Sequence, residues 1–562
     1  MRSAARSISL AVAALVGLVL LWGFFSENGL AIPTHVRHLQ IPLLHSSPKY
    51  NGDSSSSIGN GGSSSSSSSS SISTVSQDSK QELDDDDTAI PSSYSTVDTL
   101  WYQWSQIIYD NRPHLSKIEL TSDAPNNGVH GADPNPRAPY HDLVKNPATD
   151  MAAMESAHTG LSEELNKLAR TTSPYKGHGV VLVGGAEYYG PAITTISMLR
   201  KLGCELQVEV FVRNRSEYEP YVCEEFFPKI GAKCMVITDF LDRGAHVFEA
   251  GHYQLKVLAL LFSSFRHVLF LDSDSMPLID PYAKMMQVEP YKSTGMVVWP
   301  DFWAATESPV FYKIAGLEGF PAGLPKTSSE SGQMLMDKGT HLQALLLATY
   351  YNIYGPDLYY RLLSQGAMGE GDKETFLAAA VVMNSTYYRV KHPVEAVMND
   401  DGPKSKGRAM LQYHAGDEVS TSKAADKPVR PAFLHANLPK MNAGHLVDEG
   451  DLFSEVNTTQ RWRLLGDKDK QIRMFGYDIE ATIFEIMMKS GCDLADKIKD
   501  WQKREKLCQR ITEHYEQLFA GHGEEKEVVG NNVAAALKGA TDDGEDDDED
   551  LLLGARARVM MI

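Results

Sequence analysis

Four apolar residues, Val268-Leu269-Phe270-Leu271, run without a break into Asp272-Ser273-Asp274, with Pro277 and Asp280-Pro281 shortly beyond. An apolar run of this kind suits a strand covered on both faces, where helices take the place of solvent. In an extended segment residues i and i+2 share a face, so Asp272 and Asp274 can turn their carboxylates into one site at the strand's carboxyl end. That is the end at which open α/β sheets bind ligands. Neighbouring carboxylates repel each other unless a cation lies between them, and a divalent ion that also holds substrate phosphates meets that need. The plainer reading has the two acids cap a turn stopped by Pro277.

The surrounding segments alternate in type. Val180 to Gly185 is a short apolar run ending in glycines, and Pro191 to Leu199 follows with apolar residues at helical spacing. Glu205 to Val212 and Lys233 to Ile237 read as further strands, and Tyr253 to Phe262 as the helix before the Val268 run. Strands alternating with helices predict an α/β fold with a mainly parallel central sheet. Leu161 to Ala169 reads as another helix, and ordered structure is expected to begin near Leu100-Trp101-Tyr102, where aromatic residues return.

Charge and composition set the compartment. The chain has 562 residues, with 53 basic and 73 acidic side chains, which disfavours nucleic acid as a partner. Much of the acidic excess lies in two runs, at residues 82–87 and 542–550, that read as solvated segments. Arg2 and Arg6 precede an uncharged stretch from Ile8 to Phe25 that as a helix would span about 27 Å, enough for a signal anchor with the bulk of the chain lumenal. A cleaved signal peptide is the competing reading. The resulting division is a cytosolic tail at 1–7, an anchor at 8–25, a Ser/Asp-rich disordered stem at 26–98, a catalytic domain at 99–520 and a disordered acidic tail at 521–562. Lumenal exposure would make Asn214, Asn384 and Asn457 glycan acceptors, since each opens an Asn-x-Ser/Thr sequence. It also permits disulfides, and Cys492 with Cys508 is the expected pair, enclosing a loop for which a crosslink contributes about 3 kcal/mol.

Three further segments can carry chemistry. Gly184 and Gly185 open a tight strand-to-helix turn that lets backbone N–H groups approach a phosphate, although neither common glycine-loop spacing is matched. Glu370 and Asp372 sit in a glycine-rich loop entering a helix, placed either to face a reacting centre or, in the case of Asp372, simply to cap that helix. His435 ends the apolar run Phe433-Leu434 and could complete a site begun by the aspartates, with Lys440 close behind to neutralise phosphate.

Taken together and in order, these segments resemble the fungal Golgi alpha-mannosyltransferases of glycosyltransferase family 71, particularly its alpha-1,2-mannosyltransferases. The likeness runs from about Tyr175 to Cys508 and includes Gly179 to Gly185, Tyr253-Gln254-Leu255-Lys256 followed by Ser263-Ser264-Phe265, and Phe270 to Asp274. It continues through Glu330-Ser331-Gly332-Gln333, Tyr354-Gly355-Pro356-Asp357, Gln365-Gly366 to Phe376, and His435-Ala436-Asn437 to Lys440. The resemblance implies a type II Golgi membrane enzyme with a GT-A-like nucleotide-sugar fold that takes mannose from GDP-mannose with Mn2+ or another divalent cation. It implies mannan or N-glycan acceptors, transfer with retention of configuration, and other mannosyltransferase subunits as partners. By the same resemblance Asp272, Asp274 and His435 hold the metal. Gly184, Gly185, Lys256, Ser273, Gln333 and Lys440 contact the donor, and Glu370 and Asp372 are the catalytic candidates.

Two other classes of function fit parts of the pattern. Paired aspartates also suit a metal-dependent phosphoesterase, which would release phosphate from a nucleotide sugar without an acceptor. A non-catalytic lumenal subunit could retain the fold alone, and would tolerate loss of the Asp272 carboxylate.

Overall fold

The computed structural model describes residues 95–129, 140–168, 173–399, 401–404, 406–419 and 428–520. The cytosolic tail, the anchor, most of the stem and the acidic tail inferred from the sequence lie outside the described residues. Helix α1 (Thr96–Asp110) starts a turn earlier than Leu100, inside the segment assigned to the stem. Ser95 and Asp98 form a reciprocal cap in which the Ser95 hydroxyl accepts from the Asp98 N–H and the Asp98 carboxylate accepts from the Ser95 N–H. That Ser-x-x-acid signal, not the return of aromatics, fixes the helix start. Helix α2 (Pro147–Leu168) buries Met154, Leu161 and Leu165 along one side.

The alternating unit follows as β1 (His178–Val183), α3 (Tyr189–Lys201), β2 (Val208–Val212), β3 (Ala232–Val236), α4 (Gln254–Phe262) and β4 (His267–Asp272). These four strands are parallel neighbours in the order β3-β2-β1-β4. Their side chains part by parity. Val180, Leu182, Leu269 and Leu271 face a core shared with α3, while Val181, Val268 and Phe270 face the opposite core, beneath α1, α2 and α4. Two covered faces explain why β1 and β4 read as continuous apolar runs.

Beyond β4 the architecture departs from a simple parallel sheet. Strands β5 (Ser275–Pro277), β6 (Met296–Ala304) and β7 (Thr327–Asp337) come next. Strand β7 lies between β4 and β6 and is antiparallel to both. Helices α5 (Leu342–Ile353) and α6 (Lys373–Val382) then cover the sheet, and β8 (Tyr388–Arg389) closes its edge beside β6, giving seven strands. The remaining strands β9 (Glu395–Met398), β10 (Gly407–Tyr413) and β11 (Pro431–His435) join β5 in a separate antiparallel sheet ordered β5-β11-β10-β9. The chain therefore changes sheets at Ser273 and Asp274, and β11 is brought alongside with His435 opposite Ser275.

A C-terminal cap of α7 (Ala443–Asp448), α8 (Ile479–Leu494) and α9 (Leu507–Leu518) packs on the α3 face, with the Cys492–Cys508 disulfide tying α8 to α9. A second disulfide joins Cys223 to Cys234, and Cys204 remains a buried thiol. Asn384 and Asn457 are exposed, whereas Asn214 is partly buried and its side-chain oxygen accepts from the Ser216 N–H and hydroxyl.

One residue of this cap carries a pH dependence. His514 is fully buried against Phe484 and Phe519, and neither ring nitrogen has a hydrogen-bond partner among the described residues. Burial pushes its imidazole down to about 3, and burial likewise pushes His158 down to about 4. Both pKa values are depressed in the folded chain, so the unfolded chain takes up the protons first. Stability is therefore whole above about pH 6.5 and is lost as pH falls below it. At pH 5 each histidine costs about 2 kcal/mol. Thermal unfolding midpoints are expected to drop from pH 7.5 to pH 5, and His514→Phe should raise the midpoint and flatten that drop.

Candidate active site

Because Asp272 continues the parity of Val268 and Phe270, its carboxylate turns toward the α4 and α6 side of the sheet. There it meets Lys256 of α4, whose Nζ donates to Asp272 Oδ2 (2.8 Å) and to Ser331 Oγ (3.1 Å), and lies 3.8 Å from Asp372 Oδ2. Asp274, two residues on and buried, turns toward β11. Its Oδ1 is 3.2 Å from His435 Nε2, and Lys440 Nζ pairs with its other oxygen. The backbone carbonyl of Asp274 accepts from the Ala436 N–H (2.9 Å), which pins β11's end to the acidic motif. Ligand atoms of Asp272, Asp274 and His435 all lie within 4.8 Å of one another.

Glu330 of β7 completes the group, with Oε1 3.4 Å from His435 Nδ1 and hydrogen bonds from the Gly332 N–H (2.8 Å) and Gln333 Nε2 (2.6 Å). The cluster thus sets the carboxylates of Asp272, Asp274, Glu330 and Asp372 against the cations Lys256, Lys440 and, when protonated, His435. Burial works against the Asp274 charge, but His435 and Lys440 outweigh it and hold that carboxyl below the usual range. Burial also opposes the charges of Glu330 and His435, yet Glu330 is held low by His435, and His435 is raised well above its ordinary value by Asp274 and Glu330. Asp372 is pushed up to about 6, by burial first and by Asp272 as well, against the pull of Lys256.

The residues fit a divalent cation. Two carboxylates and an imidazole form a hard-to-borderline donor set of the type that Mn2+ and related ions accept. Asp372 Oδ2 and His435 Nδ1 are buried and are met by ionic partners, Lys256 Nζ at 3.8 Å and Glu330 Oε1 at 3.4 Å. A metal ligand must be a neutral imidazole, so a bound ion replaces the positive charge that His435 otherwise supplies.

Other candidates are placed differently. Glu370 does not join the cluster: its carboxylate accepts from the Gly366 N–H (2.6 Å) and lies 3.4 Å from Arg361 Nη1, so it braces its own loop. Gln333 is fully buried and holds Glu330 and the Ser275 hydroxyl (3.1 Å) instead of facing open space. Ser273 is buried, and its carbonyl accepts from Thr195 Oγ1 (2.7 Å). Gly184 packs so closely on β2 that a Cβ there would lie 2.7 Å from Val210 Cγ1. Gly185 adopts φ 100°, which requires glycine, and the turn it makes carries the exposed Tyr188 to 5.5 Å from Lys440 Nζ. Tyr188 and Glu330 were not singled out from the sequence. Glu330 opens a segment that the resemblance includes, and Tyr188 lies just beyond the Gly184-Gly185 turn, but a tyrosine and a glutamate carry no spacing signal of their own.

Comparison with known proteins bears on this arrangement. A family model described as "Mannosyltransferase putative" matches residues 177–324 and 317–416, which span the acidic motif and the 370 loop. Alpha-1,2-mannosyltransferase MNN21 of Candida albicans is 33% identical over 436 residues, covering 65% of this chain and 65% of that protein. Alpha-1,2-mannosyltransferase MNN2 of Saccharomyces cerevisiae is 30% identical over 459 residues, covering 66% of this chain and 75% of the yeast protein. The chain belongs to this fungal alpha-1,2-mannosyltransferase family. It spans just under two thirds of the Candida relative's length. Among solved structures, the glycosyltransferase GlyE of Streptococcus pneumoniae TIGR4 aligns with 39% of this chain and 45% of its own at 12% identity, with a TM-score of 0.24, too low to carry an argument.

The site predicts metal binding that calorimetry can read directly. The described chain should bind one Mn2+ in the absence of nucleotide, and Asp274→Asn or His435→Ala should weaken that binding at least tenfold. Unchanged affinity in both variants would remove the metal from this cluster.

Proposed function

We propose that this chain is a metal-dependent alpha-1,2-mannosyltransferase with a GT-A-like fold, taking mannose from GDP-mannose and adding it with retention to mannose-containing glycoprotein or mannan acceptors. In the same reading it is a single-pass type II Golgi membrane protein with its catalytic domain in the lumen, where other mannosyltransferase subunits could join it. The observation that carries the reading is the convergence of Asp272, Asp274 and His435 within 4.8 Å, at the carboxyl end of β4, in a member of this family.

Charge development at the sugar assigns the roles. As the bond to GDP breaks, the anomeric carbon becomes cationic and the diphosphate gains negative charge. A divalent ion held by Asp272, Asp274 and His435 supplies Lewis-acid stabilisation to the diphosphate when bound. Lys440, the more exposed of the two cluster lysines, is placed to neutralise phosphate from the β1 side, with Tyr188 beside it. Asp372 stands on the opposite flank and, when ionised, faces the positive charge of the sugar. Lys256 spans Asp272 and Asp372, so it fixes the spacing between the metal-holding side and the sugar-facing side. GDP-mannose is alpha-linked and the product is alpha-linked, so the two faces of the sugar are not inverted overall.

Two variants separate these roles. Asp372→Asn should lower kcat about 100- to 1000-fold, the scale on which a preorganised electrostatic contact acts. Glu370→Gln should stay within about threefold in kcat and instead lower the thermal unfolding midpoint, because it loosens the Gly366 and Arg361 contacts.

Donor consumption by the purified protein tests the reading as a whole. GDP-mannose should be consumed in preference to UDP-glucose and UDP-galactose, in the presence of a mannose acceptor and a divalent ion, with loss of turnover on chelation. Preference for a uridine donor contradicts the mannose assignment. Phosphate release without an acceptor would favour a phosphoesterase.

A further inference from the structure

The charged groups of the site form a succession. Lys440 pairs with Asp274 on one flank, and Lys256 links Asp272 to Asp372 on the other. An acceptor has to lie against the sugar it receives, so the surface next to Asp372 is where groups that bind it belong. That surface is made by Gly371 and Tyr253. Tyr253 is 51% exposed, more than any other tyrosine, tryptophan or phenylalanine among the described residues. Its ring lies on Gly371, where a Cβ would come within 2.9 Å of Tyr253 Cδ2 and displace the ring from its place beside Asp372.

A single exposed aromatic residue is ordinary in itself. What singles this one out is how it is held. His252, just before it, adopts φ 50°, a left-handed backbone that residues other than glycine adopt at a cost. Gln254, just after it, is buried. The Gln254 Oε1 accepts from the Gly251 N–H (3.0 Å), and its Nε2 donates to the carbonyl of Asn352 (2.9 Å) in the last turn of α5. The Asn352 side chain in turn donates to Thr375 Oγ1 (2.8 Å), and that hydroxyl donates to the Asp372 carbonyl (2.6 Å). Hydrogen bonds, buried for most of their course, thus join the turn that presents Tyr253 to the start of α6, where Asp372 stands. On its other side Tyr253 is one helical turn from Lys256, so the ring and the lysine between the two aspartates share a face of α4. Backbone strain and a satisfied polar network together keep an exposed ring at a fixed spacing from the sugar-facing carboxylate.

A pyranose carries hydroxyls on its rim and C–H groups on its faces, and an aromatic ring attracts those C–H groups through the negative charge of its π-face. Resting on the mannosyl-transfer reading, we propose that Tyr253 is the platform on which the acceptor mannose stacks, setting its position relative to Asp372. The diphosphate contacts of the donor lie on the Lys440 flank, so the ring acts on acceptor binding and not on donor binding.

The test measures KM for an alpha-linked mannobioside as acceptor and, separately, KM for GDP-mannose, using the full chain with Mn2+ supplied. Tyr253→Ala should raise the acceptor KM about tenfold while KM for GDP-mannose moves less than about twofold. Tyr253→Phe, which retains the ring, should keep the acceptor KM within about threefold of the wild type. An acceptor KM unchanged in Tyr253→Ala overturns the platform, as does a comparable rise in both KM values, which a merely structural side chain would give. A Tyr253→Phe variant as impaired as Tyr253→Ala overturns it too, because the hydroxyl and not the ring face would then carry the contact. Absence of transfer to the mannobioside by the wild type overturns the mannosyl-transfer reading and this inference with it.

Discussion

Mutual repulsion among buried carboxylates is the constraint around which this structure is arranged. Asp274, Glu330 and Asp372 are buried and Asp272 is partly buried beside them; they come from three separate segments, and none could sit this close to the others without positive charge between them. Lys256 supplies it from α4, and His435 and Lys440 supply it from the end of β11 and the turn that follows. Isolated burial of even one such carboxylate is expensive, so the cluster exists only where the fold delivers all of its members at once.

The fold accomplishes that delivery by changing sheets in the middle of the acidic motif. Asp272 closes the last parallel strand of the large sheet, and Ser275 opens the first strand of the small antiparallel one. Parity sends Asp272 toward α4, while the switch sends Asp274 toward β11 and its terminal histidine. Separating the two carboxylates this way gives each its own cation, and still leaves their ligand atoms close enough to share an ion.

Much of this was legible in the sequence, for a physical reason. Parallel strands buried on both faces are mostly apolar, so β1 and β4 announce themselves, and an acid directly after such a run stands at a strand end. Family likeness then drew His435 and Lys440 to the same site. What escaped was written in a different pattern. Strand β7 begins as Thr-Ser-Ser-Glu-Ser, with no apolar alternation, because its neighbours there are site residues and not core. Its antiparallel insertion between β4 and β6 was therefore invisible, as was the small sheet, whose strands β5 and β9 are too short to show a period. Glu370 and Asp372, two residues apart in a glycine-rich loop, were equivalent on paper. Only the turn at Gly366 and the position of Arg361 separate the brace from the carboxylate that faces the site.

Asp272, Asp274 and His435 are proposed to hold one divalent ion against the donor's diphosphate. Pulsed electron paramagnetic resonance on the protein loaded with Mn2+ and GDP addresses it most directly. Hyperfine coupling from one histidine nitrogen, lost in His435→Ala, is expected together with coupling from phosphorus. A bound Mn2+ that shows phosphorus coupling but no histidine nitrogen, with a spectrum unaltered in His435→Ala and Asp274→Asn, would contradict it.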